Sequence, residues 1–131
     1  MLWKEVTVNF VRHPRTVWLF LSLCLVGIVS VLTLMPMPDW SKQGSVGIDK
    51  VYHILAFAAL IWPTACLLPQ LLRPAGFFLL AYGGLIELIQ PLVGRSADSL
   101  DLLADGLGIL LGASVGLAMR AALRRLMRIK A

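Results

Sequence analysis

Four stretches of this chain each run about 18 or more mostly apolar residues, long enough for an α-helix to cross the hydrocarbon core of a bilayer. They extend from Val17 to Met35, Val51 to Leu68, Ala75 to Leu92 and Asp101 to Met119. The first holds no charge, the third carries Glu87 and Gln90, and the fourth opens on Asp101 and Asp105. Composition supports reading all four as spans. Of 131 residues 59% are hydrophobic and only 15% charged, whereas about a quarter of a soluble domain is charged. A helix satisfies its own backbone groups in hydrocarbon. The expected fold class is therefore all-α: a polytopic membrane protein in which residues 1–131 form one domain, a bundle of four transmembrane helices.

The basic residues set an expected orientation. Lys4, Arg12 and Arg15 precede the first span, Arg73 lies between the second and third, and Arg120, Arg124, Arg125, Arg128 and Lys130 follow the fourth. Nine of the twelve thus share one side, leaving Lys42, Lys50 and Arg95 on the other. Lysine and arginine are retained in cytoplasmic loops, so both termini are expected in the cytoplasm. The net charge of +5 follows from this topology and from attraction to anionic lipid, and nucleic acid is not an expected partner. The first span ends in Met35-Pro36-Met37-Pro38, unlike the small-residue cleavage site of a signal peptide, and is expected to be retained. Before it, Trp3, Val6 and Phe10 recur at helical spacing, so residues 2–12 read as a short amphipathic segment along the inner interface. Cys24 and Cys66 have no metal-ligand spacing and read as small packing residues.

Six of the seven acidic residues gather at the other, outer end of the spans: Asp39, Asp49, Glu87, Asp98, Asp101 and Asp105. Helical phase narrows this bias to a site. Asp49, His53 and Ala56 share one face of the second span, with Lys50 three residues before His53. Gly83, Glu87 and Gln90 share a face of the third, and Asp98, Asp101, Asp105, Gly108, Gly112 and Gly116 follow one another by three or four residues on the fourth. Each polar face is also its helix's small-residue face, which points the polar groups into the bundle. Pro63 interrupts the hydrogen bonding of the second span and frees the carbonyl of Ala59. The stripe Gly108, Gly112, Gly116 reads as a helix-packing groove, within the protein or between copies in a homo-oligomer.

Simpler roles exist for most of these groups. Asp49, Asp98 and Asp101 stand near helix N-termini, where the dipole and capping favour carboxylates. His53 has Glu87 as a candidate hydrogen-bond partner, Gln90 can bridge helices, and Arg95 can anchor at the interface. Glu87 is hardest to account for this way, because a charged side chain at the centre of a span costs roughly 2.5 to 3.5 kcal/mol on insertion scales.

The order Asp49-Lys50-x-x-His53 opening a span, Glu87-x-x-Gln90 near the end of the next, and Arg95 followed by Asp101, Gly108 and Gly112 resembles the VanZ-like family of small bacterial membrane proteins. The resemblance covers about residues 18–119. One position departs from it: the family commonly has asparagine where Asp105 stands, four residues after Asp101. The resemblance implies a multi-pass protein of the bacterial inner (plasma) membrane. The family's namesake is associated with resistance to the glycopeptide teicoplanin, so an effect on glycopeptide susceptibility is an expectation it carries.

Three functional classes are open. In the first, an outward-facing polar cavity binds membrane lipid, a lipid-linked envelope precursor or an amphipathic glycopeptide. Lys50 and Arg95 would meet an anionic head group, and Asp49, His53, Glu87, Gln90, Asp98, Asp101 and Asp105 would line the rest. In the second, the protein is a metal-dependent enzyme acting on a lipid phosphate. Asp101 and Asp105 would hold a divalent cation such as magnesium, with His53 or Glu87 as acid or base and Asp101 the residue to test. No motif demands a cofactor. In the third, Glu87 and His53 relay protons or ions.

Overall fold

The computed structural model describes residues 14–35, 46–95 and 97–129. The amphipathic segment expected over residues 2–12, and the acid at Asp39, lie outside the described residues. Helix α1 runs Pro14–Leu34, α2 Val46–Leu67, α3 Leu72–Ile89 and α4 Ser99–Ile129. Short 3-10 turns at Pro69–Leu71 and Gln90–Val93 precede and follow α3. Every described element is helical, and four segments are long and apolar enough to cross a membrane: Pro14–Leu34, Gly47–Leu67, Pro69–Val93 and Ser99–Leu126.

Helix boundaries overrun the apolar stretches, because hydrogen bonding and hydropathy end a helix at different places. α2 begins five residues before Val51, in a polar turn that holds Asp49 and Lys50. α4 continues ten residues past Met119 through an alanine-, leucine- and arginine-rich tail of good helix formers. α3 starts at Leu72, with Pro74 in its first turn, where a missing N–H leaves no intrahelical bond unmade. α2 runs on through buried Pro63 to Leu67.

The helices run alternately up and down, as contacts at both ends show. Trp18, near the start of α1, bonds Thr64 near the end of α2, so these two are antiparallel. His53 meets Asp105, and Arg120 meets Cys66, so α2 and α4 are parallel. This pair is the closest in the molecule. Gly108 abuts the Ile54 backbone, Gly112 that of Ala58 and Gly116 the Trp62 carbonyl. The offset is constant, since 108 − 54, 112 − 58 and 116 − 62 are each 54. The glycine stripe is thus taken up within the chain by α2.

Phe57, Leu60 and Ile61 of α2 form the core with Val29 of α1, Ile86 of α3 and Ile109 of α4. Large apolar side chains also cover the outside, among them Phe20, Leu23, Phe77, Phe78, Leu88 and Leu110, all more than 60% exposed. A surface of this kind suits hydrocarbon and marks a multi-pass membrane protein.

Candidate functional site

Three helix ends and one turn place the polar groups in one cluster. Asp49, Lys50 and His53 come from the first turns of α2, and Glu87 from the last turn of α3. Gln90 and Arg95 flank the turn that follows α3. There Gly94 adopts φ 78°, the left-handed conformation that ends a helix, and the Arg95 N–H donates to the Gln90 carbonyl at 3.0 Å. This reversal folds Arg95 back toward α2, where its Nη2 donates to Asp49 Oδ1 at 2.9 Å.

Asp98 joins three elements. As the N-cap of α4 its Oδ1 accepts from the Leu100 N–H at 2.9 Å, while its Oδ2 accepts from Lys50 Nζ at 2.6 Å. Its own backbone N–H donates to Glu87 Oε2 at 2.8 Å. The Lys50 hydrogen bond, reinforced by the Leu100 N–H, holds the Asp98 carboxyl below the usual carboxylate range. Lys50 also reaches Asp101 Oδ1 at 3.3 Å.

Below this layer the groups are buried. His53, Gln90, Asp101 and Asp105 are all at most 2% exposed. His53 Nδ1 lies 2.8 Å from Asp105 Oδ1, and its ring stacks on Phe57 with the planes 8° apart. Gly83 makes room for this arrangement, because a Cβ there would run into the Asp105 carboxylate and the Phe57 ring. Five buried side-chain atoms have no hydrogen-bond partner among the described residues, Ser22 Oγ of α1 and four here: His53 Nε2, Glu87 Oε1, Gln90 Oε1 and Asp105 Oδ2. A buried polar atom without a partner is costly, so such a cluster at one level is unusual in a structural core.

Of the nine residues expected at the site, eight come together and the Gln90 side chain instead donates to the Thr33 carbonyl, while the pairing departs from the sequence reading in three respects. His53 pairs with Asp105, not with Glu87, whose carboxylate instead caps Asp98. Lys50 and Arg95 do not stand free at a rim: each is bound to carboxylates, and the Arg95 side chain is only 7% exposed. Among the described residues, the group spaced so that it could hold a metal ion is Asp49, His53 and Asp101, whose ligand atoms lie within 4.8 Å of one another. Of the expected Asp101–Asp105 pair, only Asp101 belongs to that group.

The cluster opens sideways. A cavity of about 460 Å³ lies beside α1 and α2. Its walls are mostly apolar, from Val29, Leu32, Leu55 and Ala56, and Asp49, His53 and Arg95 stand at its polar end. Thr33 and Tyr52 also line it, and neither was singled out from the sequence. A signal existed for Thr33: Ser22, Val26, Ser30 and Thr33 follow one helical face. Along it Ser30 Oγ shares a hydrogen bond with Tyr82 of α3 at 2.7 Å, and the Thr33 carbonyl accepts from Gln90 Nε2 at 3.4 Å.

Compared with known proteins, the chain matches no family model, no curated protein and no solved structure.

Proposed function

We propose that the protein binds an amphipathic, lipid-linked molecule in the lateral cavity, with the tail along the apolar walls and the head group at the Asp49–Arg95 pair. The observation that carries this reading is the cavity's polarity. Its walls are apolar over most of their extent and end at the Asp49–Arg95 ion pair and the His53 ring. Arg95 uses one hydrogen bond on Asp49, and a guanidinium has five N–H groups to offer. The excess of basic residues on the opposite side supports an outer-leaflet position for the cavity. A lipid-linked envelope precursor is the occupant that the VanZ-like resemblance favours.

A photoactivatable lipid analogue tests this in membranes. Ala56→Trp fills the cavity from its wall, and Arg95→Ala removes the donor at its head. Labelling should fall in both variants. Unchanged labelling in two folded variants would remove the proposal.

A further inference from the structure

Among the described residues, acid exceeds base at the polar end. Asp49, Glu87, Asp98, Asp101 and Asp105 contribute five carboxylates, against the two fixed positive charges of Lys50 and Arg95. With every carboxylate ionised and His53 neutral, the described cluster carries 2 − 5 = −3. Charges in a water-poor site are neutralised by protons or by a bound ion.

The hydrogen bonds around His53 favour a metal ion. Asp105 Oδ1 lies 2.8 Å from Nδ1, and an ionised carboxylate there requires Nδ1 to carry the proton. In the neutral ring Nε2 then keeps its lone pair, and it is this nitrogen that is buried with no partner. It points toward Asp101 Oδ2, 3.9 Å away, too far for a hydrogen bond. Metal-binding histidines are commonly held in this way, with the second nitrogen donated to a carboxylate. The two acids are prepared similarly. Lys50 binds Asp101 through Oδ1, and Arg95 binds Asp49 through Oδ1, so each cation occupies one oxygen and leaves the carboxylate its other. The three ligand atoms lie within 4.8 Å of one another, against an ion-to-ligand distance of about 2.0 to 2.2 Å.

We propose that Asp49, His53 and Asp101 bind a divalent transition-metal ion, and that Asp105 is the positioning residue for the imidazole. One nitrogen and two carboxylate ligands suit zinc or manganese better than magnesium or calcium, which prefer oxygen alone. Three protein ligands leave coordination positions open, and Asp49 and His53 also line the lateral cavity. A phosphate or carboxylate oxygen of a bound molecule can therefore reach the ion. The metal site does not depend on the cavity's occupant, and the two ideas fail separately.

The full chain, purified in detergent with any polyhistidine tag removed and stripped with a chelator, would be titrated with zinc by calorimetry and with cobalt by visible absorption. No lipid is added. One equivalent per chain is expected. His53→Ala should abolish binding, and Asp105→Asn should weaken it about 10- to 100-fold while leaving the stoichiometry unchanged. Asp105→Asn keeps side-chain shape and serves where His53→Ala does not fold. Absence of saturable binding by the wild-type chain, or undiminished affinity in folded His53→Ala or Asp105→Asn protein, overturns the proposal. Lipid photolabelling of the chelator-treated protein reports on the cavity alone.

Discussion

The α2–α4 pair has two ends, and they treat polar groups in opposite ways. At the far end the polar contacts of α2 and α4 complete a backbone or a neighbour, and one buried atom, Ser22 Oγ of α1, lacks a partner. Arg120 Nη1 donates to the Cys66 and Leu67 carbonyls, satisfying the C-terminus of α2, and Trp18 Nε1 donates to Thr64 Oγ1 at 2.9 Å. At the near end acids outnumber bases and four buried atoms lack partners. Both ends belong to the same two helices in the same register. The contrast teaches that packing did not force the near end to be polar. Burial with unmet valence is what a binding site requires and what a structural cap avoids.

The register can be broken first, with the largest effect. Gly112 faces the Ala58 backbone and Ile61 at contact distances that no Cβ tolerates. Gly112→Leu should separate α2 from α4 and unfold both ends together, costing about 3 kcal/mol or more in a detergent unfolding titration. Gly84 has open space around it, so Gly84→Ala should change stability by less than about 1 kcal/mol. Equal tolerance at the two positions would mean that the helices do not meet as described.

Smaller effects separate the ends. Asp105→Ala leaves the buried Nδ1 of His53 without an acceptor and should cost about 1 to 3 kcal/mol. Arg120→Ala frees carbonyls at a helix end that water can reach, and about 1 kcal/mol is expected. A larger loss at Arg120 than at Asp105 would reverse the ranking of the two ends.

The mildest probe is pH. The carboxyl of Asp98 is held below its ordinary value by Lys50, so its contribution to stability is complete above the unfolded value near pH 4 and is lost as pH falls through the lower folded one. Lys50→Met removes that hydrogen bond, and the unfolding midpoint should then fall less steeply on acidification below about pH 4. An identical slope in the variant would show that the pair does not couple to folding.

Much of the site was legible before any coordinates. Helical phase placed Asp49 with His53, Glu87 with Gln90, and Asp101 with Asp105 and the glycines, because a helix fixes which residues share a face whatever surrounds it. The partners across helices were not legible. Glu87 and Asp105 are both at suitable depth for His53, and only the approach of α4 to α2 at an offset of 54 selects Asp105. The pairing of Arg95 with Asp49 was not legible either, because it depends on the left-handed turn at Gly94. The lateral cavity was invisible for a related reason, since its walls come from the otherwise uniform apolar faces of α1 and α2.

By itself, then, the sequence determined four helices, their apolar exteriors and the polar face of each, since backbone hydrogen bonding and the thickness of a bilayer act locally. The tertiary structure decided which carboxylate meets His53, that both cations are already paired, and which nitrogen is left without a partner. Those outcomes turn on ångström-scale helix register. In hydrocarbon that register is set by small-residue contacts between helices, because the lipid favours no apolar face over another.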